Sequence, residues 1–246
     1  MNNNRFVFVM PAYNAESTID QTFLSLMAQS YGNWKVIVRN DMSTDSTAEK
    51  LDWWFQKLTE TTENGVFHKL EFENNVEKKW EVQNVVEMIS QCSDTDIICR
   101  LDADDWLCDT DALHIINDVY NQTGVDAAWT AHRWGYTRNN ISAPMSSGAD
   151  PYKHPWVSSH LKTFRKKLLS DVDDKNFRGV DDQYFKRIGD QAVYLPALNQ
   201  AKGNWAFIPI VAYHYTIDMS PRTFQTDDAK FQKSEAEYLR KRGFVK

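Results

Sequence analysis

The feature that most constrains the fold is the alternation of short apolar runs with helical periodicity in the first half of the chain. Residues 5–10 (RFVFVM), 35–38 (KVIV) and 96–101 (DIICRL) are compact apolar stretches typical of buried strands. Between them, apolar residues recur at helical spacing over residues 19–27 and 51–58. Strands that alternate with helices of this length predict an α/β fold with a mostly parallel, doubly wound sheet.

The second half of the chain is less regular. Residues 125–134 and 207–215 have the composition of strands. Residues 161–169 and 191–200 have the spacing of helices, and a charged helix is expected over residues 227–242. No linker-like composition interrupts the sequence, so we expect residues 1–246 to form one domain with an irregular C-terminal half.

Composition excludes several classes of protein. The chain has 28 basic and 34 acidic residues, for a net charge of −6, which disfavours a protein that coats nucleic acid through clustered cations. No apolar run reaches the length of about 18 residues that a transmembrane helix requires, and no signal peptide is apparent. The three cysteines, Cys92, Cys99 and Cys108, form no CxxC pair and are odd in number. They predict a reducing, cytoplasmic setting.

Polar clusters follow three of the predicted strands. They occupy residues 12–14, 40–45 and 102–105. Ligands of open α/β sheets bind beyond the carboxyl ends of the strands. We therefore expect these clusters to converge at one edge of the sheet and to form the binding site there.

Two of the clusters carry acidic residues suited to ligand binding. Asp102 and Asp104, separated by one residue at a strand end, can both reach one divalent cation, and carboxylates suit Mg²⁺ or Mn²⁺. An EF-hand is excluded because Trp106 replaces a ligand and the required glycine is absent. Asp41 can accept a hydrogen bond from a nucleobase or a ribose. The alternative for each is a polar turn that caps the following helix.

Four motifs in order resemble glycosyltransferase family 2. They are VMPAYN at 9–14, SLMAQSY at 25–31, WKVIVRNDMSTDST at 34–47 and LDADDW at 101–106. The resemblance implies a GT-A fold, with residues 1–110 as the nucleotide-sugar-binding half and residues 111–246 as the acceptor-binding half. It also implies a UDP-sugar donor and inversion at the anomeric carbon.

The resemblance further implies roles for individual residues. Asp41 would flank the nucleoside, Asp102 would lie near the ribose, and Asp104 would bind Mn²⁺ or Mg²⁺ on the donor diphosphate. Asp102 is also a candidate ligand of the metal. The remaining candidate donor-binding residues are Pro11, Ala12, Tyr13, Asn14, Lys78, Asn84 and Ala103.

The sequence departs from the family at several of these positions. Asn40 and Met42 stand where the family usually has an aspartate and a glycine. Gln83 replaces an arginine that commonly precedes Asn84. Lys78 or Lys79 is then the expected source of positive charge for the diphosphate.

An inverting transfer requires a base that takes the proton of the acceptor hydroxyl. The family places an aspartate at the start of a helix, followed by a glycine and a strand that ends in tyrosines. Asp190, with Gly203 and the strand at 207–215 beyond it, fits this spacing better than Asp182, although Gly189 replaces the usual preceding glutamate. Asp190 is the expected base and Asp182 the alternative. Either residue can instead be a helix N-cap.

Histidines and basic residues of the second half are weaker candidates. By the resemblance, His214 is a candidate third metal ligand, although the family histidine falls at Asp218 and a structural histidine is the alternative. His160 and Arg165 can line an acceptor cleft or cap a helix. The basic run that begins at Lys162 is typical of a solvated surface.

The leading hypothesis is therefore a metal-dependent, inverting glycosyltransferase that uses a nucleotide-sugar donor. A non-catalytic nucleotide-sugar or glycan-binding module with the same fold is one alternative. A nucleotidyltransferase is another, but the segment after the first strand lacks the expected glycine-rich, basic loop. The acceptor is left open between a glycan, a lipid-linked sugar, a protein and a modified nucleobase.

Overall fold

The structure, a computed structural model, describes residues 3–62, 65–216 and 226–246. The six helices of this part of the chain are α1 (Ile19–Met27), α2 (Thr47–Lys57), α3 (Trp80–Ser90), α4 (Ala112–Thr123), α5 (Gly189–Ala201) and α6 (Asp227–Arg242). Its strands are β1 (Phe6–Ala12), β2 (Trp34–Asn40), β3 (Thr59–Thr62), β4 (Gly65–His68), β5 (Leu70–Asn74), β6 (Ile97–Arg100), β7 (Trp106–Leu107), β8 (Ala127–Trp134), β9 (Lys162–Arg165) and β10 (Trp205–Tyr215).

One eight-stranded sheet organises the molecule, in the order β5-β2-β1-β6-β9-β8-β10-β7. Neighbouring strands from β5 to β6 are parallel, and so are β8 and β10. β9 runs antiparallel between β6 and β8, and β7 is antiparallel to β10. The predicted α/β fold with a mostly parallel sheet is therefore confirmed. β3 and β4 form a separate hairpin.

Strand β1 shows why the sheet is covered on both faces. Successive side chains of a strand point to opposite faces. Phe6 and Phe8 pack with α1, α2 and α4 in one core, whereas Val7 and Val9 pack with α3 and α5 in another. All four side chains are buried, which accounts for the continuous apolar run in the sequence.

The prediction of a helix over residues 161–169 is wrong. This segment forms β9, Lys162–Arg165, followed by a 3₁₀ turn over Lys166–Leu169. β9 fills the position between β6 and β8, where its backbone pairs with both neighbours. The spacing of a short apolar segment does not distinguish a strand from a buried helix, and here pairing with β6 and β8 makes the segment a strand.

None of the helices in the described ranges is both long and apolar enough to cross a membrane.

Candidate active site

A cleft of about 370 Å³ opens at the carboxyl ends of β1, β2 and β6. Seven of the predicted donor-binding residues line it, which confirms that the polar clusters converge at this edge. A backbone hydrogen bond joins the first two clusters directly, because the Asp41 amide donates to the Ala12 carbonyl over 2.8 Å. The Thr18 hydroxyl, at the start of α1, donates to the Ala103 carbonyl of the third cluster over 3.1 Å. The predicted residues that line the cleft are Pro11, Ala12, Tyr13, Asp41, Lys78, Asn84 and Asp102.

The Asp41 carboxylate lies in the wall of this cleft, at the N-terminus of α3. The backbone amides of Lys79 and Trp80 donate to its two oxygens over 2.8 and 2.9 Å, and the Asn75 side chain donates over 2.8 Å. Burial alone would raise the pKa of Asp41, but these hydrogen bonds and the Lys78 charge lower it. Asp41 is therefore ionised, and it caps α3 rather than the helix near residue 47 that the turn alternative predicted.

Asn84 supports Asp41 from within α3. Its side-chain oxygen accepts from Asn75 over 2.8 Å, and its side-chain nitrogen donates to the Trp80 carbonyl over 2.6 Å. Because Asn75 in turn donates to Asp41, the three residues form one hydrogen-bonded chain. A contact between Asn84 and a donor stays a prediction.

Hydrogen bonds hold the loop after β2, which carries Asn40 and Met42 where the family usually has an aspartate and a glycine. Met42 has φ +62°, a left-handed conformation that favours glycine and costs other residues about 1–2 kcal/mol. Asn40 accepts from the Ser43 amide over 3.3 Å and donates to Asn74 over 2.7 Å, which ties the loop to β5. Asn14 also belongs to this loop structure, because its side chain accepts from the Thr44 amide over 2.8 Å, and it is not among the residues that line the cleft.

Three cations surround an aromatic side chain in the cleft. The Lys186 Nζ and the Arg187 guanidinium carbon lie 5.3 and 5.5 Å from the Trp80 ring centre. The Lys78 ammonium lies 5.6 Å from that centre and 3.1 Å from the centre of the Tyr13 ring. Lys78 was expected from the sequence, whereas Trp80, Lys186 and Arg187 were not. The three positive charges suit an anionic ligand.

Arg100 holds the acidic cluster in place. Its Nη2 lies 2.6 Å from Asp102 Oδ1 and 2.6 Å from Glu81 Oε1. Although burial opposes its charge, the two carboxylates raise the pKa of Arg100 above its ordinary value. Neither Arg100 nor Glu81 was expected in the site. Asp102 is thus fixed by a buried cation at the end of β6.

Asp104 differs from its neighbours, because its side chain is exposed and no other side chain of the described ranges pairs with it. Partial desolvation by the surrounding protein and the negative charge of the nearby Asp102 raise the pKa of Asp104 to about 6. Asp105 is buried instead, where Tyr213 and the Thr216 amide donate to its oxygens over 2.7 and 2.6 Å. A divalent cation at this position would relieve the repulsion between the Asp102 and Asp104 carboxylates, and two carboxylates are ligands that suit Mn²⁺ or Mg²⁺.

A second set of potential ligands does not fit a metal. Among the described residues, only Asp102, Asp105 and His160 bring three potential ligand atoms within 4.8 Å of one another. Asp105 already accepts two hydrogen bonds, and the ring nitrogens of His160 face the Lys162 ammonium at 3.0 Å and the Asp190 carboxylate at 3.5 Å. We therefore do not assign a metal to this set.

His214 is buried away from that set. Its Nδ1 accepts from Arg133 Nε over 3.1 Å, and its ring stacks on Trp106 with 3.7 Å between ring centres. Burial and the Arg133 charge lower the pKa of His214. Its role as a third metal ligand stays a prediction, and Asp218 lies outside the described residues.

Asp190 lies in the first turn of α5, as predicted for the base. Its Oδ1 is 2.5 Å from the Lys162 ammonium, and its Oδ2 is 3.5 Å from His160 Nε2. Burial would raise the pKa of Asp190, but Lys162, His160 and Arg100 hold it below its ordinary value. The carboxylate is therefore ionised, with the Lys162 ammonium against Oδ1 and the His160 ring near Oδ2.

Lys162 corrects the expectation that the basic run is a solvated surface. Only 1% of Lys162 is exposed, because β9 turns this side chain towards Asp190. The neighbouring Lys166 and Lys167 begin the 3₁₀ turn that follows β9 and pair with Asp94 and Asp126. The charge of Lys162 is tolerated inside the protein because a carboxylate neutralises it.

Asp182 lies on an exposed turn, with φ +59°. Its backbone carbonyl accepts from the Arg178 side chain over 2.8 Å. Neither Asp182 nor Asp190 is among the residues that line the cleft. Of the two, only Asp190 lies against the buried Lys162 ammonium, and the positive charge of Arg100, which also binds Asp102, helps to lower its pKa.

Gly189 leaves room for a carboxylate from another helix. A Cβ atom at this position would lie within 2.5 Å of Glu81 Cδ and closer still to Oε1. Glu81 thus fills the space beside Asp190 where the sequence lacks the family's glutamate. Burial raises the pKa of Glu81, and the Arg100 charge opposes that rise.

The sequence profile described as "Glycosyl transferase family 2" matches residues 7–189. The chain belongs to glycosyltransferase family 2. A curated relative, UDP-Glc:alpha-D-GlcNAc-diphosphoundecaprenol beta-1,3-glucosyltransferase WfgD of Escherichia coli, is 44% identical over 43 residues, which are 18% of this chain and 17% of that protein. The aligned segment is thus a small part of either protein.

Solved structures share the fold. S. aureus TarS 1-349 in complex with UDP-GlcNAc has a TM-score of 0.64 at 17% identity, over 90% of this chain and 61% of that chain. The mannosyltransferase PcManGT from Pyrobaculum calidifontis, in complex with GDP-Man and Mn²⁺, has a TM-score of 0.67 at 17% identity, over 98% and 65%. The GT-A fold is confirmed. The chain spans less than two thirds of the length of these proteins.

Proposed function

We propose that this chain transfers a sugar from a nucleoside-diphosphate sugar, with UDP as the expected nucleotide, to an acceptor hydroxyl. The observation that carries the proposal is the single cleft in which Asp41, Asp102 and the cations of Lys78, Lys186 and Arg187 come together. The part of the cleft beside Asp41 suits a nucleoside, and the three cations suit a diphosphate. Family membership and the nucleotide sugars bound to TarS and PcManGT support the same conclusion.

In this proposal the nucleoside lies against the segment that contains Ala12, Tyr13 and Asp41. The Asp41 carboxylate retains lone pairs beyond the hydrogen bonds it already accepts, so it can accept one more from a base N–H. Because its charge is fixed at a helix N-terminus, it favours a donor group over an acceptor group on the base. The wall of the cleft is thereby selective for the nucleotide.

The diphosphate lies between the cations and the Asp102–Asp104 pair. Mn²⁺ or Mg²⁺ held by Asp104 and Asp102 would supply positive charge that stabilises the departing diphosphate. Lys78, Lys186 and Arg187 add positive charge near the Trp80 ring. Both sources of charge favour the transition state, in which negative charge grows on the leaving group.

Asp190 is the proposed base. It takes the proton of the acceptor hydroxyl as that oxygen forms a bond to the anomeric carbon and the bond to the diphosphate breaks. The electron pair of the broken bond leaves with the nucleoside diphosphate, and direct attack inverts the anomeric carbon. The Lys162 ammonium keeps Asp190 ionised and holds its Oδ1 in place for this step. Asp182 is the less favoured candidate because it lies on an exposed turn.

The acceptor class is left open between a glycan, a lipid-linked sugar, a protein and a modified nucleobase. We expect the protein to work in the cytoplasm, which its three free thiols support, and to act as one domain with donor and acceptor halves.

A donor screen tests the proposal without knowledge of the acceptor. A ligand that binds only the folded state raises the melting temperature, so nucleotide sugars are compared by thermal shift in the presence of Mn²⁺. The best donor is then incubated with the protein, and release of the nucleoside diphosphate by slow hydrolysis is measured. We expect stabilisation by a UDP-sugar and release of UDP. Absence of both for every nucleotide sugar would contradict the proposal.

A further inference from the structure

Helix α6 forms hydrogen bonds with the segment that contains Lys186 and Arg187, two of the three cations of the cleft. The Glu235 carboxylate accepts from the backbone amides of Lys186 and Arg187, each over 2.9 Å. Gln232 donates to the Arg187 carbonyl over 3.0 Å, and Asp228 accepts from the Arg187 guanidinium over 2.9 Å. Three side chains of one helix therefore hold two consecutive residues.

The anchor of α6 lies on its buried face. Leu239 is fully buried in a cluster that includes Phe185 and Ile188, the two residues on either side of Lys186 and Arg187. Glu235 is partly buried, and burial raises its pKa, while the two amides that donate to it oppose that rise. A carboxylate that accepts two consecutive amides restricts the backbone between them to one conformation.

The other side of the same segment faces the nucleotide. Lys186 and Arg187 line the cleft together with Asp41 and Asp102, and both cations lie near the Trp80 ring. Their backbone belongs to no regular helix or strand, because α5 begins only at Gly189. One backbone hydrogen bond reaches it from α3, in which the Glu81 amide donates to the Lys186 carbonyl over 3.4 Å, and the contacts from α6 supply the remaining support.

We propose that Glu235 is a positioning residue that holds Lys186 and Arg187 against the diphosphate of the donor, an inference that rests on the proposed function. Glu235 itself contacts the backbone and not the ligand. The C-terminal helix thereby determines how strongly the cleft binds phosphate, while the nucleoside is held by β1, β2 and Asp41.

The test compares Glu235→Gln with Glu237→Gln, which makes the same change on the same helix. Glu237 is exposed, and its carboxylate lies 3.8 Å from the Lys233 ammonium. It is not among the residues that line the cleft. Affinities for UDP, uridine, GDP and guanosine are measured by calorimetry. We expect Glu235→Gln to weaken binding of the diphosphate about tenfold, as for one lost charge-assisted hydrogen bond, and to change nucleoside binding by less than about twofold. Glu237→Gln should match wild type.

A second comparison separates positioning from general destabilisation. The Lys186→Met/Arg187→Met variant lacks the two cations that Glu235 is proposed to position. In this background Glu235→Gln should have no further effect on diphosphate affinity. An equal loss for nucleoside and diphosphate, or the same loss in both backgrounds, would overturn the inference. Wild-type affinity of Glu235→Gln for the diphosphate would overturn it as well and leave the proposed function intact. A wild-type protein that binds neither UDP nor GDP would overturn the donor site and this inference together.

Discussion

Substitution of Gly189 by alanine tests the contact that joins the donor side of the site to the base. The added methyl group would overlap the Glu81 carboxylate, which is held by Arg100 over 2.6 Å. Glu81 must then move, and its hydrogen bond to a charged group contributes about 1.5–3 kcal/mol. We expect Gly189→Ala to destabilise the protein by about 2 kcal/mol, or to lower its melting temperature by about 4–8 °C.

A double-mutant cycle isolates the cause of that loss. Gly189 does not have a left-handed backbone conformation, so alanine is compatible with the helix once Glu81 is removed. In a Glu81→Ala background, Gly189→Ala should therefore change the free energy of unfolding by less than about 0.5 kcal/mol. Gly32→Ala is the control, because a Cβ atom there meets nothing within 4 Å. Chemical denaturation measures all variants. An equal loss with and without Glu81 would refute the steric argument.

Two further predictions concern the donor. Asp104→Asn should abolish Mn²⁺-dependent hydrolysis of the donor without loss of stability, because this carboxylate is exposed; full activity of the variant, or of wild type in excess EDTA, would contradict a metal held here. Asp41→Asn should weaken binding of the free nucleoside about tenfold to a hundredfold by calorimetry, the effect of one hydrogen bond in a closed site. Asp45→Asn, in the same loop, should bind normally, since Asp45 accepts from Glu16 and Thr47 and is not among the residues that line the cleft; equal affinities for both variants would show that Asp41 only shapes the loop.

The donor half of the site was predictable because its signals are local. Each polar cluster follows directly after its strand in the sequence, and parallel strands bring such ends to one edge. Asp41 and Asp102, which line the cleft, were predicted in this way. Lys78 and Asp190 were predicted from the resemblance to the family, Lys78 as a substitute for a missing arginine and Asp190 as the aspartate that begins a helix.

The remaining residues of the site depend on packing between distant segments. Glu81 comes from α3, and its partner Arg100 lies inside a strand that reads as apolar. Lys162 has the sequence context of a solvated lysine and is buried only because Asp190 lies opposite it. Lys186 and Arg187 belong to an irregular segment whose position is set by α6. No spacing within the sequence encodes these pairings.

The most direct test of the account compares Asp190→Asn with Asp182→Asn in hydrolysis of the best donor. Water replaces the acceptor in this reaction, so the base is tested before the acceptor is known. If Asp190 accepts the proton, Asp190→Asn lowers kcat by about 10²–10⁴-fold while the affinity for UDP is preserved, and Asp182→Asn stays within about twofold of wild type. A large loss in Asp182→Asn with near-normal hydrolysis by Asp190→Asn would contradict the proposed mechanism.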